Sequence, residues 1–257
     1  MSKSNPTARP PYRKSSPRSP WRLLAIISLP LGMGWALLST PVIVLAPGRQ
    51  RRRQLASFAS RVLLRIMGLR LELEGLDRMP EDSCIVVANH ASYLDGIILT
   101  ALLPPRFSFV IKREMASVPL VGLLLRRLGS LFVDRSGSLR GRGDSRTILQ
   151  RAARGDAIGM FPEGTFTQEP GLLPFRAGAF VTAVRTGMTV VPVTIRGSRQ
   201  ALPARIWLPA PGRIEVIIHP DVPPRGKSRT ERLRLQQEAR RRILSELPEP
   251  CRERDQS

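Results

Sequence analysis

From residue 71 onward, short strand-like runs alternate with stretches of helical periodicity, and that alternation limits the possible folds more than any other feature. Strands are expected at Leu71–Glu74, Cys84–Ala88, Phe107–Ile111, Ser130–Val133, Ala157–Phe161, Thr189–Ile195 and Ile214–His219. Helices are expected at Leu94–Leu103, Pro119–Leu128, Arg142–Arg154, Ala177–Thr186 and Arg229–Leu247. Strands of four to seven residues joined by helices of ten or more imply an α/β fold, a single mostly parallel sheet flanked by helices. The first run, Arg70-Leu71-Glu72-Leu73-Glu74, alternates apolar and charged residues as a half-exposed edge strand does. The chain has 257 residues, enough for one such domain with accessories.

The accessories lie at the ends. Residues 1–20 are rich in Ser, Pro and Arg and read as a disordered basic tail, and residues 248–257 as a second tail. Leu23 through Ala46 is a run of 24 residues without a charged side chain. As a helix it would measure ~36 Å, enough to cross a ~30 Å hydrocarbon core. Pro30, Pro41 and Pro47 interrupt it and arginines flank both ends, so a spanning helix and a kinked, re-entrant one both remain open. From Gln54 to Met67, Leu55, Phe58, Val62 and Ile66 recur at helical spacing, with Arg61 and Arg65 among them. That pattern suits an amphipathic helix facing either a core or a membrane surface. Residues 21–69 are therefore read as membrane anchor and interfacial helix, and 70–247 as the α/β domain.

Net charge is +21, and 37 of the 41 basic residues are arginine. Such a balance attracts polyanions, either nucleic acid or an anionic membrane surface. Aromatic content of 5% and the absence of a helix-turn-helix, zinc or RNA-binding signature argue against nucleic acid. The charge-free run argues for the membrane. The two cysteines, Cys84 and Cys251, and the two histidines, His90 and His219, show no metal-ligand spacing, so no metal is assigned.

Chemistry concentrates where the second strand ends. Val87-Ala88-Asn89-His90-Ala91-Ser92-Tyr93-Leu94-Asp95 places an aspartate five positions after a histidine. On one continuous helix these two side chains would point ~140° apart. They meet only if the chain turns between them, as at a strand–loop–helix junction. A histidine held by a carboxylate is a general base of fixed tautomer, suited to taking a hydroxyl proton. Nothing requires a covalent enzyme intermediate: Cys84 lies within a strand, and Ser92 is more simply a polar loop residue.

This His-x-x-x-x-Asp pattern resembles the glycerolipid acyltransferase family, typified by the 1-acylglycerol-3-phosphate acyltransferases. Three further blocks follow in that family's order: Gly129–Arg135, Phe161-Pro162-Glu163-Gly164-Thr165, and Thr189-Val190-Val191-Pro192-Val193. The resemblance covers roughly residues 70–220. It implies that His90 and Asp95 are catalytic and that Lys112 stabilises the oxyanion or a phosphate as a desolvated cation. It further implies that Glu163, Gly164 and Thr165 bind the lipid acceptor, with Arg135 and Arg176 available for its phosphate. The reaction implied is acyl transfer from acyl-CoA or acyl-carrier protein, as substrate, to the hydroxyl of a lysophospholipid, without a cofactor. The implied location is a bacterial inner membrane with the catalytic domain in the cytoplasm.

One departure bears on the acceptor. Phosphatidate-forming members usually carry arginine or serine after the Glu-Gly-Thr, whereas this chain has Phe166-Thr167. The missing guanidinium removes a two-pronged phosphate clamp. The primary acceptor expected is 1-acylglycerol-3-phosphate, and the alternatives are lysophosphatidylethanolamine and lyso-ornithine lipid.

Overall fold

The computed structural model describes residues 21–134, 139–203, 208–248, 250 and 252. Seven strands form one sheet in the order β1-β7-β6-β2-β5-β3-β4. Their ranges are β1 Leu69–Glu74, β2 Ile85–Ala88, β3 Ser108–Lys112, β4 Leu131–Val133, β5 Ile158–Met160, β6 Val190–Arg196 and β7 Gly212–Ile218. β6, β2, β5, β3 and β4 are mutually parallel, β7 runs antiparallel to β6, and β1 pairs with β7 in parallel at the edge. The edge position of β1 matches its alternating burial. The sheet is thus the mostly parallel α/β layer that the alternation of runs implies.

Eight α-helices accompany it among the described residues: α1 Trp21–Leu45, α2 Arg49–Ile66, α3 Asp95–Leu102, α4 Val121–Leu128, α5 Leu139–Ala153, α6 Gly178–Thr186, α7 Ser198–Ala201 and α8 Arg229–Glu246. The short α7 carries too few residues to show a period in the sequence. β2 illustrates why the sheet is covered on both sides. Val86 and Ala88 enter one core with Leu64, Ile98, Leu99, Val193 and Ile214, while Ile85 and Val87 enter the other with Phe180, Ala183, Leu235 and Ile243. Alternate side chains of a strand point to opposite faces, so a strand apolar at every position is buried on both.

α1 and α2 form an antiparallel hairpin. Trp35 Nε1 donates to the Ala59 carbonyl at 2.9 Å, and Gly32 lies so close to α2 that a Cβ there would sit 3.1 Å from Leu63. α1 is one continuous helix through Pro30 and Pro41. Thr40 Oγ1 and Ser39 Oγ donate back to the Ala36 carbonyl, 2.7 and 3.3 Å away, in the turn before Pro41. α2 is chiefly a packing helix: Ser57 and Arg61 both donate to the Ala101 carbonyl beside α3. Arg53 donates to the Leu128 and Arg106 carbonyls and to Ser108 Oγ, tying the hairpin to the sheet. Burial pushes the Arg53 guanidinium down to about 10, with Arg49 adding to the shift. Ile26–Leu45 has mean hydropathy 1.6 and is 11% buried, so by length and composition it suffices to cross a membrane.

Candidate active site

β2 ends at Ala88, and the loop that follows turns the chain before α3 begins at Asp95. Two side chains fasten this loop. Asn89 donates to the Ile195 carbonyl at 2.9 Å and accepts the Ile195 N–H at 2.7 Å, copying a strand pairing with β6. Ser92 Oγ donates to the Leu202 carbonyl at 2.8 Å. Ser92 is therefore a structural hydroxyl, in keeping with its reading as a loop residue.

The turn brings His90 Nδ1 to 2.9 Å from Asp95 Oδ2. The same oxygen accepts the backbone N–H groups of Ala91 and Ser92 at 2.7 and 2.8 Å. Asp95 is fully buried in the first turn of α3, where the helix dipole favours negative charge. Its Oδ1 has no partner among the described residues. The pairing occupies Nδ1 and leaves Nε2 for a substrate proton. The His90 ring stacks on Phe161, centroids 4.3 Å apart, and meets Phe166 edge-on at 4.4 Å; Phe166 in turn meets Tyr93 at 4.8 Å.

The Phe161–Thr165 turn follows β5, which neighbours β2 on its other side, so the two motifs share the carboxyl end of the sheet, where open α/β folds place ligands. Glu163, expected from the resemblance to contact the acceptor, instead uses both oxygens internally. Oε1 accepts the His90 backbone N–H at 2.6 Å and Oε2 accepts the Leu173 N–H at 2.8 Å. Its role is to hold the histidine's backbone. Burial pushes its carboxyl up to about 8, while the two N–H donors pull the other way. Gly164 has φ 77°, and a Cβ there would lie 2.7 Å from Arg176 Nε. Glycine lets the Arg176 side chain lie across this turn. Thr165 and Arg176 are exposed at its rim.

Lys112 ends β3 at the same side of the sheet but is 55% exposed and paired with Glu114 at 3.0 Å. The expected desolvated cation is thus a solvated one, because the chain leaves the sheet at this point and carries the lysine outward. Arg135 lies outside the described residues, as do the tail at 1–20 and most of 248–257. Arg199, which the sequence did not single out, is 91% buried on α7 and donates to the Thr167 carbonyl at 2.5 Å. It follows Gly197-Ser198 directly after β6, and only its burial, invisible in sequence, distinguishes it from the many surface arginines.

The second histidine and Cys84 make no contact with the His90–Asp95 pair among the described hydrogen bonds. His219 is buried against Thr194 Oγ1 at 2.8 Å and burial pushes it down to about 4, so it is neutral at neutral pH. Burial pushes the Cys84 thiol up to about 11, which leaves it un-ionised and a poor nucleophile. Among the described residues no three His, Cys, Asp or Glu side chains cluster as metal ligands would.

Comparison with known proteins bears on the family and the fold. Residues 70–196 match the acyltransferase family model. The lyso-ornithine lipid O-acyltransferase of Pseudomonas aeruginosa is 31% identical over 258 aligned residues, covering 91% of this chain and 95% of that protein. The 1-acyl-sn-glycerol-3-phosphate acyltransferase of the same organism is 29% identical, covering 75% of this chain and 76% of its own length. In fold, the crystal structure of the 1-acyl-sn-glycerophosphate acyltransferase PlsC from Thermotoga maritima superposes with TM-score 0.70 at 24% identity, covering 88% of this chain and 94% of that one. Similarity at this level over nearly the whole of a relative, joined to the family match over residues 70–196, makes this chain a member of the acyltransferase family.

Proposed function

We propose that this enzyme transfers an acyl group from acyl-CoA or acyl-carrier protein to the free hydroxyl of a lysolipid, with 1-acylglycerol-3-phosphate giving phosphatidate as the principal reaction. The observation that carries this reading is the His90–Asp95 pair at 2.9 Å, placed at the sheet's carboxyl end with Nε2 left for a substrate. His90 Nε2 takes the proton as the acceptor oxygen attacks the thioester carbonyl. The new ester C–O bond forms, the C–S bond breaks, and the proton passes from the imidazolium to the departing thiolate. Asp95 stabilises the transient imidazolium, and Glu163 with Asn89 fixes the loop. The thioester is itself the activated reactant, so the scheme uses no cofactor. Arg176 and Arg199 border the acceptor turn, and Lys112, at the same end of the sheet, is the proposed partner of a developing oxyanion or phosphate.

Phe166 favours a second acceptor. It lies against His90 and Tyr93 at the position where a clamping arginine is absent, and the relative aligned over most of this chain is named for lyso-ornithine lipid. An apolar wall there suits an acceptor without a phosphate monoester.

Membrane association follows from α1, whose Ile26, Ile27, Leu31, Met33, Leu37, Leu38 and Leu45 stand exposed among the described residues. The proposed arrangement has α1 embedded from the cytoplasmic side of an inner membrane, with α2 packed between it and the catalytic body. The catalytic body, 70–247, faces its soluble thioester donors, and the arginines lie against anionic headgroups. Mass spectrometry of products from purified protein tests the whole reading, with a panel of lysolipids and both donors. Diacylated product from a phosphate-bearing or ornithine-bearing lysolipid supports it. No acylated lysolipid from a folded, vesicle-bound protein overturns it.

A further inference from the structure

A second apolar surface lies beside the α1–α2 hairpin, in the segment that leads from β3 into α4. Met115, Val118, Leu120, Val121 and Leu123 are all exposed there. Leu120 is at the tip, 55% exposed, with φ 60° and ψ −52°. Among the described non-glycine residues it alone has a positive φ. The Val121 N–H closes on the Pro119 carbonyl at 2.6 Å, making Leu120 the centre of a tight γ-turn of the strained hand. Strained backbone persists where the surrounding structure over-determines it, and here it does. Gly122 sits so close beneath the turn that a Cβ would lie 2.2 Å from the Ala116 carbonyl oxygen, which also accepts from Arg126 at 2.9 Å. Arg113 is fixed to Asp144. A folded chain therefore holds a bare leucine outward at an energetic penalty, on a braced loop.

We propose that this turn is a second membrane-inserting element, a lip that dips into the anionic bilayer in which α1 is embedded; the inference rests on the membrane reading of α1. Continuity with α1 selects the bilayer over a protein partner. Leu124 and Leu128 of α4 pack into the small cluster of Ile43, Ala56 and Ala59 formed by the hairpin. Val121 stands one and two helical turns before them on the same stripe, so the covered stripe runs out into the exposed tip. Arg126 and Arg127, exposed on α4, add charge of the sign that lipid phosphates attract. Orientation gives the lip its use. Lys112 ends β3 just before it, and β3 runs parallel with β5 and, through it, with β2, so the lip stands at the same end of the sheet as His90. Insertion seats that end at the lipid surface, where acylated acceptors reside.

The test uses the full chain with vesicles of equimolar phosphatidylcholine and phosphatidylglycerol. In a Cys251→Ser background, Leu120→Cys and, separately, Leu31→Cys on α1 are labelled with the environment-sensitive fluorophore NBD, Cys84 being buried. Blue-shifted emission at both positions, quenched by doxyl-labelled lipid, is the expected result. A shift at 31 with none at 120 overturns the lip and leaves the anchor intact. No shift at either overturns the membrane reading as well. Leu120→Gly supplies the second readout, because glycine accepts this backbone without strain. Its Tm should equal or exceed that of the wild type. Acylation of a vesicle-embedded acceptor should fall roughly ten-fold, the order for withdrawing one leucine side chain from hydrocarbon, with a dissolved short-chain acceptor turned over normally. Unchanged activity on vesicles overturns the proposal.

Discussion

Glu163 Oε1 lies 2.6 Å from the backbone nitrogen of His90, joining two motifs 73 residues apart. The acceptor turn and the catalytic loop are therefore one construction, and a change in the first moves the second. This contact also gives the protein a pH dependence. Burial pushes the Glu163 carboxyl up to about 8, whereas the unfolded chain releases that proton near ~4.3. The folded state then binds more protons across that window. Stability from this group is fully present below the unfolded value and is lost as pH rises through about 8. Glu163→Gln removes the titration but leaves one backbone N–H without an acceptor. In thermal melts, the wild type's advantage in Tm over Glu163→Gln should shrink between about pH 5 and about pH 8.5. A pH-independent difference would contradict this assignment.

Asp95→Asn separates charge from geometry. The amide oxygen can still accept from His90 Nδ1, Ala91 and Ser92, and its NH₂ would take the place of Oδ1, which is buried without a partner. The tautomer survives, but the imidazolium loses its counter-charge. Turnover should fall roughly 10²-fold, at the lower end of the loss expected on removal of the base itself. The unpaired NH₂ should lower stability by about 1–3 kcal/mol. Steady-state kinetics and a denaturant melt on the same preparation check both, and full activity would contradict the role given to the carboxylate.

Much of this was legible in the sequence, for identifiable reasons. Strands such as Val190–Arg196 are apolar at nearly every position, so the layer follows from pattern; spacing required a turn for His90 to meet Asp95, and the family resemblance supplied the expectation that they do. What spacing could not show is where side chains go after the motif is placed. Glu163 turned inward because two N–H donors were within reach, and Lys112 turned outward because β3 ends there. Phe166 reads as the absence of an arginine; in the fold it is also a wall of the His90 pocket, a contact made across two loops. The amphipathic pattern at Gln54–Met67 was equally consistent with core and membrane, and only the packing of α2 on α3 and α1 separates them.

Phe166→Arg tests head-group choice. If the new guanidinium reaches the acceptor phosphate, charge-assisted hydrogen bonds of ~1.5–3 kcal/mol each should shift the acceptor ratio towards 1-acylglycerol-3-phosphate by roughly ten-fold or more. The substitution also removes an aromatic neighbour of His90 and Tyr93, so turnover with either acceptor should drop even as the ratio shifts. Competition between 1-acylglycerol-3-phosphate and lysophosphatidylethanolamine measures the ratio directly. A folded variant with the wild-type ratio would show that this position does not set the head group.

The central claim is that His90 is the general base, and it is tested most directly by measuring acyl transfer from labelled acyl-CoA and acyl-carrier protein to lysolipid by His90→Ala in vesicles. The ring is 16% exposed and its removal breaks no backbone pairing, since Glu163 and Asn89 hold the loop through main-chain groups. The variant should therefore keep its fold, by circular dichroism, and its vesicle binding, while turnover falls by ~10²- to 10⁴-fold. Near-normal turnover by a folded, membrane-bound His90→Ala protein would contradict the account.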